Sequence, residues 1–151
     1  MLVHAFNWKK MSVAAVLAFR WDGKRSRLFF RMKPDSYNTE SLIDFLKDLR
    51  RELRGKRCIL IWDGLMAHKS KAMKTYLACQ RDWLTVETLP GYAPDLNPVE
   101  PLWGNIKRQE LANRCAIDLG ESGEALRLGM DRVKRSKGLA FAFLHHAGLF
   151  F

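Results

Sequence analysis

The sequence predicts an α/β domain in which helices flank a mixed β-sheet, and three observations support this. Residues 11–32 form two β-rich runs joined at Asp22-Gly23, a dipeptide that supplies the positive φ required by hairpin turns. Residues 57–89 read as strand, helix and strand, the spacing of a βαβ unit with parallel strands and a right-handed crossover. Amphipathic stripes before and after this unit predict helices that cover the sheet.

The first half of the chain supplies the hairpin and one helix. Residues 11–20 show little polar alternation, which is typical of a strand covered on both faces. Residues 26–32 return beside them after the turn at 21–24. A helix is predicted over 39–53, because apolar residues recur there at helical spacing, namely at Leu42, Ile43, Leu46, Leu49 and Leu53.

The second half begins with residues 57–62, a short apolar run of the kind found in buried parallel sheets. The remaining predictions are a helix at 69–82 with Met73, Tyr76 and Leu77 facing inward, a strand at 84–89, and helices at 98–113 and 121–135. The tail at 139–151 is apolar and rich in phenylalanine. It either packs on the sheet or forms a self-association surface, and the sequence leaves both open.

Length and charge limit the classes of function. A chain of 151 residues is a one-domain length, so we expect a single domain over 1–151. Twenty-six Lys and Arg against sixteen Asp and Glu give a net charge of +10, which favours a polyanionic partner such as DNA. No leader peptide or stretch long enough to span a bilayer is predicted. The three widely spaced cysteines indicate reduced thiols in a cytoplasm.

Two acidic residues stand where a parallel sheet concentrates its chemistry. Asp63 follows the strand at 57–62, and Glu100 opens the helix that follows the Pro-rich loop 90–97. The carboxyl ends of parallel strands lie at one sheet edge, so the two acids should converge there. Clustered carboxylates repel each other, and Mg²⁺ or Mn²⁺ is the usual compensation. Two such ions about 4 Å apart support phosphoryl transfer.

Each acid also has a simpler explanation. Asn97, Pro98 and Glu100 suit the N-cap, first and third positions of a helix, which requires no metal. Asp63 with Gly64 could merely turn the chain at the end of a strand. Both alternatives stay open, but the two acids in this combined pattern favour a metal site. In that interpretation Asn97 and Pro98 fix the angle at which Glu100 enters.

Two segments carry a family resemblance. Residues 61–69 (IWDGLMAHK) and 89–107 (LPGYAPDLNPVEPLWGNIK) resemble the second and third acidic motifs of DDE transposases, in the bacterial insertion-sequence branch related to the mariner superfamily. The resemblance extends over about residues 8–135. It implies a ribonuclease-H-like fold that cuts DNA and joins the freed 3′ ends to a target. Asp63 then matches the second metal-binding acid, Glu100 the third, and His68 a histidine that follows the second acid.

The chain departs from that family at the first acid, which the family carries on its first strand. Residues 2–7 hold no acid. Asp22 lies at the wrong end of the sheet, and Asp35 stands about 14 Å from the Asp63 strand in the family's strand order. We therefore expect a fold that is incomplete at its N-terminal strand. Either residues 2–8 form a short surrogate, or a separate chain or a homodimer partner supplies the strand.

The sequence thus leaves three functions to weigh. The first is a transposase catalytic domain in the bacterial cytoplasm at the nucleoid, with two Mg²⁺ or Mn²⁺ ions and DNA as substrate. The second is a catalytically silent fragment that binds DNA or assists assembly, since the family's helix-turn-helix region is also missing. The third is another ribonuclease-H-like nuclease. For DNA phosphates we expect contacts from residues near the acids: His68, Lys69, Lys71 and Lys107.

Overall fold

The computed structural model describes residues 11–63, 69–91, 93–112 and 119–150. The elements, in chain order, are β1 (Met11–Phe19), β2 (Ser26–Pro34), α1 (Thr39–Glu52), β3 (Cys58–Trp62), α2 (Lys71–Ala78), β4 (Leu84–Thr88), a 3₁₀ turn (Pro94–Leu96), α3 (Val99–Ile106), a π-helical segment (Lys107–Leu111), α4 (Leu119–Arg135) and α5 (Leu139–His146). The predicted order of strands and helices is confirmed.

Two predicted helices end differently. The helix expected over 69–82 is limited to α2, because Ser70 caps it by accepting a hydrogen bond from the Met73 N–H at 3.2 Å. The helix expected over 98–113 continues beyond α3 as the wider π-helical segment. A fully capped helix start is found at α1, where the Asn38 and Ser41 side chains each accept from the other's N–H.

The strands pair as predicted but do not form one sheet. β1 and β2 are antiparallel, with Val16 opposite Phe29, and β3 and β4 are parallel, with Leu60 opposite Val86. Within the described ranges these are two separate two-stranded sheets. Among these residues β1 and β3 are not hydrogen-bonded to each other, and the predicted mixed sheet is expected to be incomplete at this place, because its N-terminal strand would lie between them.

The relative direction of the two pairs follows from contacts around α1. Arg27, near the start of β2, donates to the Glu52 carbonyl and carboxylate, both at 3.1 Å. Glu52 ends α1, and β3 begins a few residues later. β2 and β3 therefore start at the same end of the molecule, and β1 runs opposite to both. The Met11 end of β1 consequently lies on the same side as the Trp62 end of β3.

Two apolar clusters form the core. The first lies between the strands and the helices α1 and α2, and it includes Phe29, Leu46 and Leu60. The second lies between the hairpin and the three C-terminal helices, and it includes Leu28 and Leu102. Because neighbouring strand residues point to opposite faces, Leu28 and Phe29 show that the hairpin is covered on both sides.

Part of the apolar tail packs against the rest of the protein, which is one of the two alternatives that the sequence leaves open. Phe143 of α5 is buried in the second cluster and Leu139 packs against it, whereas Phe150 beyond the helix is 74% exposed. No helix in the described part of the chain is long and apolar enough to cross a membrane.

Candidate active site

Asp63 stands directly past the end of the parallel pair. The Trp62 carbonyl still accepts a hydrogen bond from the Leu89 N–H at 2.8 Å, so the ladder continues to the last residue of β3. The chain leaves both strands at this level, because parallel strands end at the same edge. The exposed Asp63 and the loop after Leu89 therefore begin side by side, as the sequence predicted.

Glu100 is presented by a helix start that is complete without its carboxylate. The Asn97 side chain accepts from the Val99 N–H at 3.1 Å, and the Glu100 N–H donates to the Asn97 carbonyl at 3.0 Å. Pro98 already has helical backbone angles. The Asn97 N–H, which a capping-box glutamate would bind, instead donates to Pro94 at 2.9 Å. The exposed Glu100 carboxylate is therefore not used for capping that N–H.

Both acids line one groove, of about 1880 Å³, together with residues of β1 and β3. Asp22 and Asp35 are not among the described residues that line it, and Asp22 pairs with Arg20 at 3.2 Å. Two carboxylates offer the hard oxygen ligands that Mg²⁺ and Mn²⁺ prefer. Over the described ranges, however, no group of three or more His, Cys, Asp or Glu side chains is placed to hold a metal ion.

The expected DNA-contacting residues lie at different distances from the acids. Lys69 and Lys71 are exposed at the start of α2, which follows β3 and Asp63. Lys107 is exposed just past the end of α3, about 10 Å of helix beyond Glu100. Lys107 therefore does not lie in the same helical turn as Glu100. His68 lies outside the described residues.

The end of the groove opposite the acids is basic, a feature that the sequence analysis missed. The signal was present, because basic residues flank the starts of β2 and β3. Seven basic side chains line this end against two acidic ones, Glu52 and Asp82. The basic residues are Arg20, Arg25, Arg27, Arg54, Lys56, Arg57 and Arg81.

A charged cluster fixes the helix that carries Glu100. The Arg132 guanidinium of α4 donates to both carboxylate oxygens of Glu110, at 2.5 and 3.1 Å, and to the Asn105 side chain at 2.6 Å. These bonds raise the pKa of Arg132 above its ordinary value, so the guanidinium stays charged. The cluster connects α3 and the π-helical segment to α4, because the planar guanidinium donates two hydrogen bonds to one carboxylate.

Comparison with known proteins identifies the family. Residues 8–121 match the model of the DDE superfamily endonucleases, so the chain belongs to this family. The resemblance to the DDE family that the two acidic motifs predict is thereby confirmed, and the order of strands and helices is that of an α/β fold.

Solved structures were also compared with the chain. The catalytic domain of Mos1 mariner transposase is 15% identical with a TM-score of 0.49, covering 93% of this chain and 83% of that one. The Mos1 catalytic domain with raltegravir and Mg is 15% identical with a TM-score of 0.48, covering 93% of this chain and 84% of that one. A search of curated proteins gave no significant match.

Proposed function

We propose that this chain is the catalytic domain of a transposase, which cleaves DNA strands and transfers the freed 3′ end to a target by metal-dependent phosphoryl transfer. The observation that carries the proposal is the placement of Asp63 and Glu100 at one groove in a member of the DDE superfamily endonucleases. The two acids are far apart in sequence, and the Glu100 carboxylate is not used to cap the Asn97 N–H, which donates to Pro94 instead.

Asp63 and Glu100 would hold Mg²⁺ or Mn²⁺, with two ions in a complete site. Such ions supply an activated water or 3′-hydroxyl and neutralise charge on the leaving oxygen. The chain's own contribution is positional. Asn97 and Pro98 fix the first turn of α3, and the Arg132–Glu110 pair holds the far end of the same helix segment. Glu100 thus projects from a supported element rather than from a loop.

The DNA backbone would be bound by basic residues near the acids. Lys69 and Lys71 stand at the start of α2, with His68 just before them and Lys107 farther along. The net charge of +10 would add long-range attraction, which salt screens. We place the protein in the bacterial cytoplasm, associated with the nucleoid, and working as a homodimer or with a second chain.

A second candidate is a DNA-binding or assembly fragment that does not cut. The observation in its favour is that, among the described residues, no third His, Cys, Asp or Glu side chain joins Asp63 and Glu100 in a group that could hold a metal ion. Such a fragment would bind DNA without cleaving it. A single assay of plasmid nicking therefore separates the two candidates.

The deciding experiment is nicking of supercoiled plasmid by the purified chain in Mg²⁺ or Mn²⁺. Glu100→Gln and Asp63→Asn should each reduce nicking by about a hundredfold or more, since each removes a ligand charge. Asp95→Asn is the matched control, because Asp95 lies in the same loop but outside the groove lining, and it should nick normally.

Three outcomes are distinguishable. Loss of nicking in both acid variants with a normal control supports the catalytic proposal. No nicking by any protein, with DNA binding that weakens as salt increases, supports the fragment instead. Nicking that persists in Glu100→Gln would show that a contaminating nuclease or a different site is responsible, and the proposal would be wrong.

A further inference from the structure

The end of the molecule away from the two acids carries a surface of its own. The β1–β2 turn, the end of α1 and the start of β3 meet there. The turn before β4 joins them, since the Cys58 N–H donates to the Trp83 carbonyl at 2.7 Å. β3 has five residues, so this end lies about 15 Å from Asp63 at the usual rise per residue. Lys69 and Lys71, which follow β3, lie at the other end.

Two adjoining cavities make up this surface. The basic end of the groove has seven basic side chains, and it continues into a smaller cavity of about 560 Å³ that adds Arg51 and Lys134. The two cavities share Arg27, Glu52 and Arg54. We call these residues, together with Trp21 of the β1–β2 turn, the distal surface. Its basic members, all exposed, are Arg20, Arg25, Arg27, Arg51, Arg54, Lys56, Arg57, Arg81 and Lys134.

Most of this positive charge is not compensated within the protein. The two acidic side chains of the distal surface are already bonded, Glu52 to Arg27 at 3.1 Å and Asp82 to Arg50 at 2.9 Å. Of the nine basic side chains, three form ion pairs with described residues: Arg20, Arg27 and Arg51. The other six form none within the described ranges. A surface with this charge attracts a polyanion.

Arg54 occupies a backbone position that favours glycine. α1 ends in a Schellman motif, in which the Arg54 N–H donates to the Arg51 carbonyl and the Gly55 N–H to the Arg50 carbonyl, both at 3.0 Å. The residue that follows the helix cap in this motif is usually glycine, because its φ is positive. Arg54 has a φ of 54°. A charged side chain kept at a strained position beside a cavity indicates that the charge has a function.

Trp21 adds an aromatic ring to the distal surface. Its side chain is 84% exposed, more than any other large hydrophobic side chain in the described chain, so core packing does not account for it. The turn around it is well held. The Asp22 carboxylate accepts from the Lys24 N–H at 3.1 Å and pairs with Arg20 at 3.2 Å, and the Gly23 N–H donates to the Arg20 carbonyl at 2.9 Å. A fixed turn therefore presents the indole to solvent.

Exposed cations beside an exposed aromatic ring match one kind of polyanion. Cations bind the phosphates of a nucleic acid strand, and an unpaired base of any sequence can stack on an aromatic ring. Duplex DNA offers the same phosphates but keeps its bases stacked on each other. An acidic protein segment offers carboxylates and no base. The combination therefore favours a DNA strand with unpaired nucleotides.

We propose that the distal surface binds a single-stranded segment of DNA, with Trp21 stacked on a base and with Arg54, Lys56 and Arg57 on its phosphates. This proposal rests on the proposed function for its partner, DNA, but it assigns that partner to a second surface away from Asp63 and Glu100. Its test uses neither metal ions nor cleavage. The distal surface can therefore fail its test while the nicking assay succeeds, and the reverse.

The test measures binding of the intact chain to three labelled ligands in EDTA by fluorescence anisotropy. The first ligand is an oligothymidylate of about twelve nucleotides. The second has the same sugars and phosphates but no bases, and the third is an oligoglutamate peptide of the same net charge. We expect the oligothymidylate to bind about tenfold more tightly than the abasic strand, because only the oligothymidylate has bases that stack. It should also bind more tightly than the peptide.

Substitutions of Trp21 separate stacking from charge. Trp21→Ala should weaken oligothymidylate binding about tenfold and leave the affinity for the abasic strand unchanged, because only the stacking contact is lost. Trp21→Phe should restore most of the affinity, since a smaller ring still stacks. Leu128→Ala is the matched control. Leu128 is exposed on α4 and lines neither cavity, so this variant should bind all ligands normally.

A substitution of Arg54 tests the phosphate contact without harming the fold. Arg54→Gly should weaken the oligothymidylate and the abasic strand equally, by about fivefold in about 0.1 M salt, and should reduce the slope of log affinity against log salt by about 0.7. The melting temperature should not fall, because glycine suits the positive φ. Lys47→Ala is the matched control, since it removes a charge from α1 outside both cavities. It should leave the slope unchanged.

Three results would overturn the proposal. Equal binding of the oligothymidylate and the abasic strand by the unaltered chain would show attraction by charge alone. Tighter binding of the oligoglutamate peptide would indicate an acidic protein as the partner. If Trp21→Ala kept its melting temperature and bound the oligothymidylate as well as Leu128→Ala does, the DNA strand would bind elsewhere on the protein.

Discussion

The two strand pairs of this protein differ in how many of their faces are covered by helices. The β1–β2 hairpin has a helical layer on each face, so that Leu28 and Phe29, neighbours in sequence, are both 3% exposed. The β3–β4 pair is covered on one face, where Leu60 is 8% exposed, whereas Ile59 and Ile61 on the other face are 69% and 58% exposed. The hairpin is therefore covered on both faces, whereas the parallel pair is open on one.

This difference follows from how the C-terminal helices are placed. α3, α4 and α5 pack against the hairpin, although α3 follows the loop that leaves the edge of the parallel pair and carries Glu100 in its first turn. The groove lies between the covered and the uncovered pair. The groove therefore lies where apolar side chains of β3 are still exposed, a frequent property of binding surfaces.

The largest expected effect concerns the hairpin. Phe29→Ala and Leu28→Ala should each lower the free energy of unfolding by about 2–5 kcal/mol, because each opens a cavity in a different core cluster. Urea denaturation at constant m-value measures both. If one of the two substitutions costs less than about 1 kcal/mol, one face of the hairpin is not packed in solution and the contrast between the two strand pairs is lost.

The second prediction concerns neighbouring residues of β3. Leu60→Ala should lower the free energy of unfolding by about 2–4 kcal/mol, since Leu60 belongs to the first cluster. Ile61→Ala should change it by less than about 1 kcal/mol, because its side chain is largely exposed. Equal losses in the same urea experiment would indicate that Ile61 is covered in solution, and a strand or a second copy would then fill the groove.

These two residues also show what the sequence could and could not predict. The run at 57–62 was interpreted as a buried strand, which is correct for Leu60 and wrong for Ile59 and Ile61. An apolar run reveals that a strand needs cover but not which element covers it, since that depends on contacts distant in sequence. The paired positions of Asp63 and the loop before Glu100 were predictable, because parallel strands always end at one edge.

The charged cluster was beyond sequence reasoning for a similar reason. Periodicity predicts one helix over 98–113, and it reveals neither the π-helical geometry at Lys107–Leu111 nor the bonds of Glu110 in that segment to Arg132 of α4. A Cβ atom on Gly129 would lie only 2.8 Å from the Glu110 carboxylate. A side chain at position 129 would therefore push the Glu110 carboxylate from its place, whereas helix propensity alone counts Gly129 only as a weakness.

A third prediction follows from two glycines of α4. Gly129→Ala should destabilise the protein by about 1–2 kcal/mol, because the new methyl group displaces Glu110 from Arg132. Gly123→Ala is the matched control, since its Cβ would meet only the Met11 side chain at 3.6 Å. It should be neutral or stabilise by up to about 1 kcal/mol through helix propensity.

The two alanine variants are compared by thermal and urea unfolding. In a Glu110→Gln background, the penalty of Gly129→Ala should shrink, because the carboxylate pair is already weakened. An unchanged penalty would mean that Ile106, whose Cγ2 lies 3.1 Å from the same Cβ position, is the decisive contact. In that case the close approach of α4 to α3 is limited by apolar packing in the second core cluster and not by the Arg132–Glu110 pair.

The smallest expected effect distinguishes two thiols. Burial raises the pKa of the Cys58 thiol above its ordinary value, so at neutral pH Cys58 is protonated and a poor nucleophile. Cys79, at the end of α2, is exposed. In a Cys115→Ser background, iodoacetamide should therefore modify Cys79 several-fold faster than Cys58 near neutral pH, as followed by mass spectrometry of peptides.

The pH dependence fixes the sign of this effect. Because the folded-state pKa of Cys58 is raised, its contribution to stability is complete below the ordinary thiol pKa and decreases as the pH rises through the range between the unfolded and folded values. The Cys58 alkylation rate should rise over that same range and approach that of Cys79. The prediction would be wrong if the two thiols were alkylated at the same rate at neutral pH. That result would show that the start of β3 opens readily in solution and exposes Cys58.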